Sequence, residues 1–186
     1  MAIEELTPQQ AVARIAEFHA IDVRGHSEFT GPLGHVAGAR LIPLPELAGR
    51  VSEIPRDRPL LLICRSGGRS GKACAQLAEL GIGPVVNLAG GMIAWRRANL
   101  PVEQTLPKSR SELLASALSW LAQVTGQPLD AARAKLAAAL GKPLDALREP
   151  THSDTSRALD AIASLAGSPP DLDLSMAAFR AALAEL

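Results

Sequence analysis

Leu60-Leu61-Leu62-Ile63-Cys64-Arg65-Ser66-Gly67-Gly68-Arg69-Ser70 is the stretch on which the reading of this chain turns. Its first four residues form an uninterrupted apolar run, the pattern of a strand buried on both faces of a parallel sheet. A helix is expected from about Ser70 to Leu80, closed by Gly81. A cysteine directly after such a strand and before a helix falls at the carboxyl edge of the sheet, where open α/β folds bind ligands. Ser66, Gly67 and Gly68 let the turn curl, which aims successive backbone N–H groups inward as a nest reinforced by the helix N-terminus. A thiol there meets positive potential, and the thiolate is the nucleophilic form. Arg65 and Arg69 add guanidinium donors suited to an oxyanion. Cys64 therefore reads as a nucleophile on an anion-cradling turn. Cys74 reads differently: it sits mid-helix with Leu77 and Ala78 at i+3 and i+4, as a core residue. A Cys64–Cys74 disulfide would need a geometry that helix does not offer.

On either side, strands alternate with short helices. Thr7-Pro8-Gln9-Gln10 is a capping box with Pro in the first helical position, opening a helix through about Phe18. Strands are expected at Ala20–Val23, Ala39–Ile42 and Val85–Leu88, with Gly25 to Gly38 as loop. Pro45 opens a short helix to about Val51, and Gly90-Gly91 begins another through Trp95 and Arg97. The fold class is α/β: a mostly parallel sheet flanked by helices on both faces, followed by a small all-α region.

Four segments, in order over about residues 5–104, resemble the rhodanese (sulfurtransferase) family. They are Ile21-Asp22-Val23-Arg24, then Gly34-His35-Val36-Ala37-Gly38-Ala39, then Leu61 to Ser70, then Asn87-Leu88-Ala89-Gly90-Gly91-Met92 with Trp95, Leu100 and Pro101. At the second of these, Val-Ala replaces the commoner Ile-Pro. The resemblance implies that Cys64 takes the outer sulfur of thiosulfate or a similar small-molecule donor as a persulfide. A thiol or cyanide acceptor then removes it, in ping-pong fashion. Loop amides from Arg65 through Ser66, Gly67, Gly68 and Arg69 to Ser70 would stabilise the persulfide. Arg65 and Arg69 would steer the donor, and the Ser66 and Ser70 hydroxyls would add hydrogen bonds. Asp22, Arg24 and His35 are assigned supporting roles: an ion pair tying loops together and a loop-bracing imidazole. No metal or other cofactor is called for.

Loop length separates sulfur from phosphorus chemistry. Four residues lie between Cys64 and Arg69, whereas phosphatases and arsenate reductases of the same fold resemble a Cys-five-residues-Arg pattern, whose wider loop admits a tetrahedral phosphorus or arsenic centre. The remaining alternative is a persulfide carrier or sensing module whose helical tail binds a partner.

Bulk properties narrow the field further. Lys plus Arg equals Asp plus Glu at 19 each, and aromatic residues make up 3% with no Tyr, which disfavours a nucleic-acid partner. No apolar run approaches the ~18 residues of a membrane span, and Met1-Ala-Ile-Glu-Glu does not resemble a secretory leader, so a cytoplasmic setting without membrane attachment is expected. The character of the chain changes near Pro101–Pro107, giving expected domains at 1–108 and 109–186. Beyond that point Ala and Leu recur at helical spacing, with Leu114, Leu118 and Leu121 on one stripe beside Leu113, Ala117 and Trp120. Helices are expected at about 111–124, 128–140, 155–166 and 175–185, with Gly126 and Gly141 as stops. Gly126–Arg133 echoes Gly141–Arg148, read as reuse of one helix junction rather than a repeat array. His152 with Asp154 is too sparse for a metal site. The all-α region is expected to form a bundle of its own, pack on the first domain, make a homodimer or bind a protein partner.

Overall fold

The computed structural model describes residues 3–104, 107–147 and 149–186. The first two residues of the leader comparison, residues 105 and 106 of the junction and Arg148 of the echoed segment lie outside them. The chain divides into two compact units, Met1–Gln104 and Thr105–Leu186.

The first unit is built on a five-stranded sheet. Its strands are β1 (Glu4–Leu6), β2 (His19–Asp22), β3 (Arg40–Leu41), β4 (Leu60–Ile63) and β5 (Val85–Leu88), in the order β1-β5-β4-β2-β3. All pairs are parallel. The apolar run at 60–63 takes the centre because it alone buries both faces: each of its residues is at most 1% exposed. It registers His19 with Leu60 and Asp22 with Ile63 on one side, and Leu60 with Val85 on the other. At full burial each such Leu or Ile contributes on the order of 2 kcal/mol.

Helices α1 (Pro8–Ala13), α2 (His26–Phe29) and α3 (Gly68–Glu79) connect the strands, and α4 (Gly91–Arg97) follows the last of them. The Thr7–Gln10 capping box and N-terminal Pro are present, but α1 stops at Ala13 and a 3-10 turn at Ile15–Glu17 covers the rest of the stretch expected to be helical. The segment from 25 to 38, expected as loop throughout, carries α2. The Pro45 helix is a 3-10 run over Leu44–Glu53, broken at Arg50. β1 was not anticipated. Three residues, two of them charged and exposed, carry no strand periodicity, and the segment becomes a strand only by pairing Glu4 with Val86 through Leu6 with Leu88.

The second unit is helical: α5 (Arg110–Thr125), α6 (Leu129–Leu140), a 3-10 turn at Leu144–Leu147, α7 (His152–Ala166) and α8 (Leu172–Ala184). Gly126 and Gly141 end α5 and α6 in the left-handed conformation, at φ of 65° and 66°. Leu113, Ala117, Leu118, Trp120 and Leu121 of α5 are buried against Leu136, Leu159, Ile162 and Phe179. Trp120 meets Phe179 edge-on, with ring centroids 6.1 Å apart, and its indole N–H donates to Asp171 Oδ2 at 3.3 Å. His152 opens α7 and is exposed. No described helix is long and apolar enough to cross a membrane.

Candidate active site

The chain leaves β4 at Ile63 and enters α3 at Gly68, two residues before the expected start, so the loop is four residues long, Cys64 to Gly67. The early start comes from Gly67, which caps α3 at φ 96°, a left-handed angle an L side chain resists. That turn brings the Gly67 N–H to 3.1 Å from Cys64 Sγ. Ser70, in the first turn of α3 and fully buried, places Oγ 3.2 Å from the same sulfur and 3.1 Å from the Gly67 carbonyl. Its single proton serves one of these acceptors at a time, so it follows the charge on sulfur. Cys64 is itself 1% exposed. A sulfur anion at Sγ thus meets a backbone N–H, a hydroxyl and the N-terminus of a 12-residue helix.

The loop is braced from below by α4, the helix expected from Gly90-Gly91 through Arg97. Met92 N–H donates to the Cys64 carbonyl at 2.9 Å and Ile93 N–H to the Arg65 carbonyl at 3.1 Å. Gly91 makes this approach possible. A Cβ there would lie 2.4 Å from the Cys64 carbonyl oxygen and 2.7 Å from the Arg65 carbonyl carbon and oxygen, all backbone atoms.

The two loop arginines have different fates. The Arg69 guanidinium is engaged by Glu28 of α2 through two 2.6 Å bonds, one to each carboxylate oxygen. Burial pushes the Glu28 carboxyl up, but the Arg69 hydrogen bonds and charge, the Gly25 N–H and the Arg24 charge together hold it below the usual carboxylate range. Arg69 is raised in turn, chiefly by its hydrogen bonds to Glu28 against burial, with the charges of Glu28, Cys64 and Asp22 adding to it. Glu28 did not enter the sequence reading. It sits six residues after Asp22 on a four-residue helix and 41 residues before Arg69, and no local pattern links the two. Arg65 is half-buried, while Ser66 and Gly68 are exposed on the loop's outer face.

The residues given supporting roles behave as braces. Asp22 and Arg24 are buried to 0% and form a two-pronged ion pair, with Arg24 Nη2 2.7 Å from Asp22 Oδ2 and Nε 3.0 Å from both carboxylate oxygens. Arg24 also donates to the Gly34 carbonyl at 2.7 Å, which pins the glycine-rich segment to the sheet edge. The His35 ring stacks on Phe29 at 3.7 Å, holds the Phe29 carbonyl through Nδ1 at 3.1 Å, and faces Glu103 through Nε2 at 3.4 Å. Cys74 is fully buried in the core beneath the sheet, and both cysteines are free. Burial, with the charges of Glu5 and Cys64 adding to it, pushes the Cys74 thiol up to about 12, which leaves it protonated and inert at neutral pH. No group of His, Cys, Asp and Glu able to hold a metal ion occurs among the described residues.

Comparison with known proteins agrees with this geometry. Residues 7–98 match the Rhodanese-like domain family. A sulfurtransferase of Allochromatium vinosum is 39% identical over 100 residues, which cover 54% of this chain and 92% of that protein. The thiosulfate sulfurtransferase GlpE of Shewanella oneidensis is 35% identical over 79 residues, 42% of this chain and 76% of that protein. Among solved structures, a rhodanese-related protein of Thermoplasma volcanium superposes with a TM-score of 0.51 at 27% identity, covering 55% of this chain and 99% of its own. The second unit lies beyond the residues that match the family. With a cysteine held at the end of the central strand by the amide and hydroxyl of a short glycine loop, and with these relatives, the chain belongs to the rhodanese-like family of sulfurtransferases.

Proposed function

We propose that this chain moves a sulfane sulfur from thiosulfate or a similar anionic donor to a thiol or cyanide acceptor through a persulfide on Cys64. The Cys64 thiolate attacks the outer sulfur of thiosulfate. The donor's S–S bond breaks, sulfite leaves with the bonding electron pair, and the charge passes to the terminal sulfur of the persulfide. An acceptor thiolate or cyanide then attacks that terminal sulfur, returning the Cys64 thiolate and releasing a persulfide or thiocyanate. The observation that carries the reading is the convergence of the Gly67 N–H and the Ser70 hydroxyl on Cys64 Sγ, at 3.1 and 3.2 Å. Donors fixed in advance around a sulfur that is a thiolate before it is loaded and again after it is unloaded stabilise it without reorganisation. Arg65 and the outward loop residues Ser66 and Gly68 would border the donor's path. The short loop, with Arg69 engaged by Glu28, disfavours the phosphatase alternative, which needs that arginine on the anion.

Intact mass after incubation with thiosulfate tests the proposal. Wild type should gain one sulfur atom, lose it on adding cyanide, and turn over with parallel-line kinetics; Cys64→Ser should gain nothing. Loading without turnover against a panel of acceptors would instead favour a sulfur carrier. No gain on wild type, or an equal gain on Cys64→Ser, would sink the sulfurtransferase reading.

A further inference from the structure

The Glu28–Arg69 pair changes the charge that an incoming donor meets. Counted along the loop, the site presents two arginines to an anion. In three dimensions the second of them is neutralised: each Glu28 oxygen holds one Arg69 nitrogen at 2.6 Å, and Oε2 also accepts the Gly25 N–H at 3.2 Å, which fixes the carboxylate to the start of its helix. The Glu28 side chain is 8% exposed and that of Arg69 39%, so the carboxylate is the inner partner and the cation the outer one. Arg69 directly precedes Ser70, whose hydroxyl lies 3.2 Å from the Cys64 sulfur. The pair thus contributes almost no net charge beside the sulfur. The cradle itself, one amide, one hydroxyl and the end of a helix dipole worth about half a unit charge, is matched to the single negative charge of the Cys64 thiolate.

Resting on the sulfurtransferase reading, we infer that Glu28 is a specificity-determining residue. By cancelling the Arg69 charge it lowers the preference of the site for doubly charged donors relative to singly charged ones. Thiosulfate carries a second charge on its sulfonate end, which remains outside the cradle and gains nothing from a neutral pair. A thiosulfonate such as methanethiosulfonate has the same attacked sulfur, with a methyl group where thiosulfate has a charged oxygen. The Cys64 thiolate attacks its outer sulfur, the S–S bond breaks, and methanesulfinate leaves with the electron pair. The two donors therefore differ in charge while sharing the bond that is broken.

The test is the ratio of kcat/KM for thiosulfate to that for methanethiosulfonate, measured at low and high salt. In Glu28→Gln the uncompensated Arg69 should raise this ratio on the order of five-fold at low salt, the size of one partly screened charge interaction, and added salt should shrink the rise. Arg69→Gln, which leaves the carboxylate unopposed, should lower the ratio by a similar factor and carries the same test should Glu28→Gln not fold. The double variant, again neutral, should return to the wild-type ratio. A ratio unmoved by the single variants, or moved equally at all salt concentrations, overturns the inference and leaves the persulfide chemistry standing, because both donors still load Cys64. Absence of loading from either donor on wild type overturns both.

Discussion

Replacing Gly91 by Ala tests how tightly the Cys64 loop depends on the helix beneath it. The added Cβ would fall 2.4 Å from the Cys64 carbonyl oxygen and 2.7 Å from two atoms of the Arg65 carbonyl. These are backbone atoms of the chain emerging from the central strand, so no side chain can swing aside. Relief requires α4 and the loop to separate, which lengthens the Met92-to-Cys64 and Ile93-to-Arg65 hydrogen bonds, now 2.9 and 3.1 Å. The left-handed φ of 56° adds about 1 kcal/mol for any L side chain, and the forced separation adds about 2 kcal/mol. A total of about 3 kcal/mol in a unit of this size corresponds to a fall in Tm on the order of 15 °C. Gly38→Ala is the control. Gly38 has a similar φ of 71°, but nothing within 4 Å of its missing Cβ, so it should lose only the backbone part, about 1 kcal/mol. Thermal and denaturant unfolding measure both variants, and sulfur loading on thiosulfate reports on the loop. If Gly91→Ala melts no lower than Gly38→Ala, or loads sulfur at the wild-type rate, α4 does not set the loop geometry and the reasoning fails.

Arg24→Met leaves the fully buried Asp22 carboxylate without its partner and should cost about 3–5 kcal/mol by urea unfolding; a loss below about 1 kcal/mol would show that water or another cation reaches Asp22. Glu28 is held below its unfolded value of 4.5, so the stability it contributes is present above that pH and lost as pH falls through the lower folded value. The Tm difference between wild type and Glu28→Gln should therefore be constant near neutrality and shrink below pH 4.5; a difference that grows on acidification contradicts the assigned direction. Cys74→Ala should leave the rate of sulfur loading within about two-fold of wild type while lowering stability by about 1–2 kcal/mol. Native wild type treated with iodoacetamide at neutral pH should be unmodified at Cys74, and modification there would contradict its burial.

What could be read in the chain itself was whatever is decided over a few residues. The apolar run at 60–63 declares a strand because no helix or edge strand would bury four consecutive large side chains. The glycines after Cys64 declare a tight turn because only they take its angles freely. Thr7 with Gln10 marks one helix start, and Gly126 and Gly141 mark two helix ends, where cap geometry is local. The Asp22–Arg24 pair was accessible for the same reason, two residues apart on one strand end. The missed helix, α2, is a four-residue segment whose own propensity is too weak to announce it.

Tertiary structure alone decided the rest. β1 exists because β5, some 80 residues later in the chain, offers it a free edge; by itself the polar Glu4-Glu5-Leu6 has no reason to extend. The sheet order puts Gly91 of α4 against the carbonyls of the Cys64 loop, which turns an unremarkable Gly-Gly into a steric requirement. It also brings Glu28 to Arg69, and so cancels one of the two arginine charges that the loop sequence presents. The cysteine, its loop and the strand beneath it were fixed by local sterics and hydrophobic patterning. The charge that surrounds them follows from a pairing 41 residues apart, which only the folded chain can bring together.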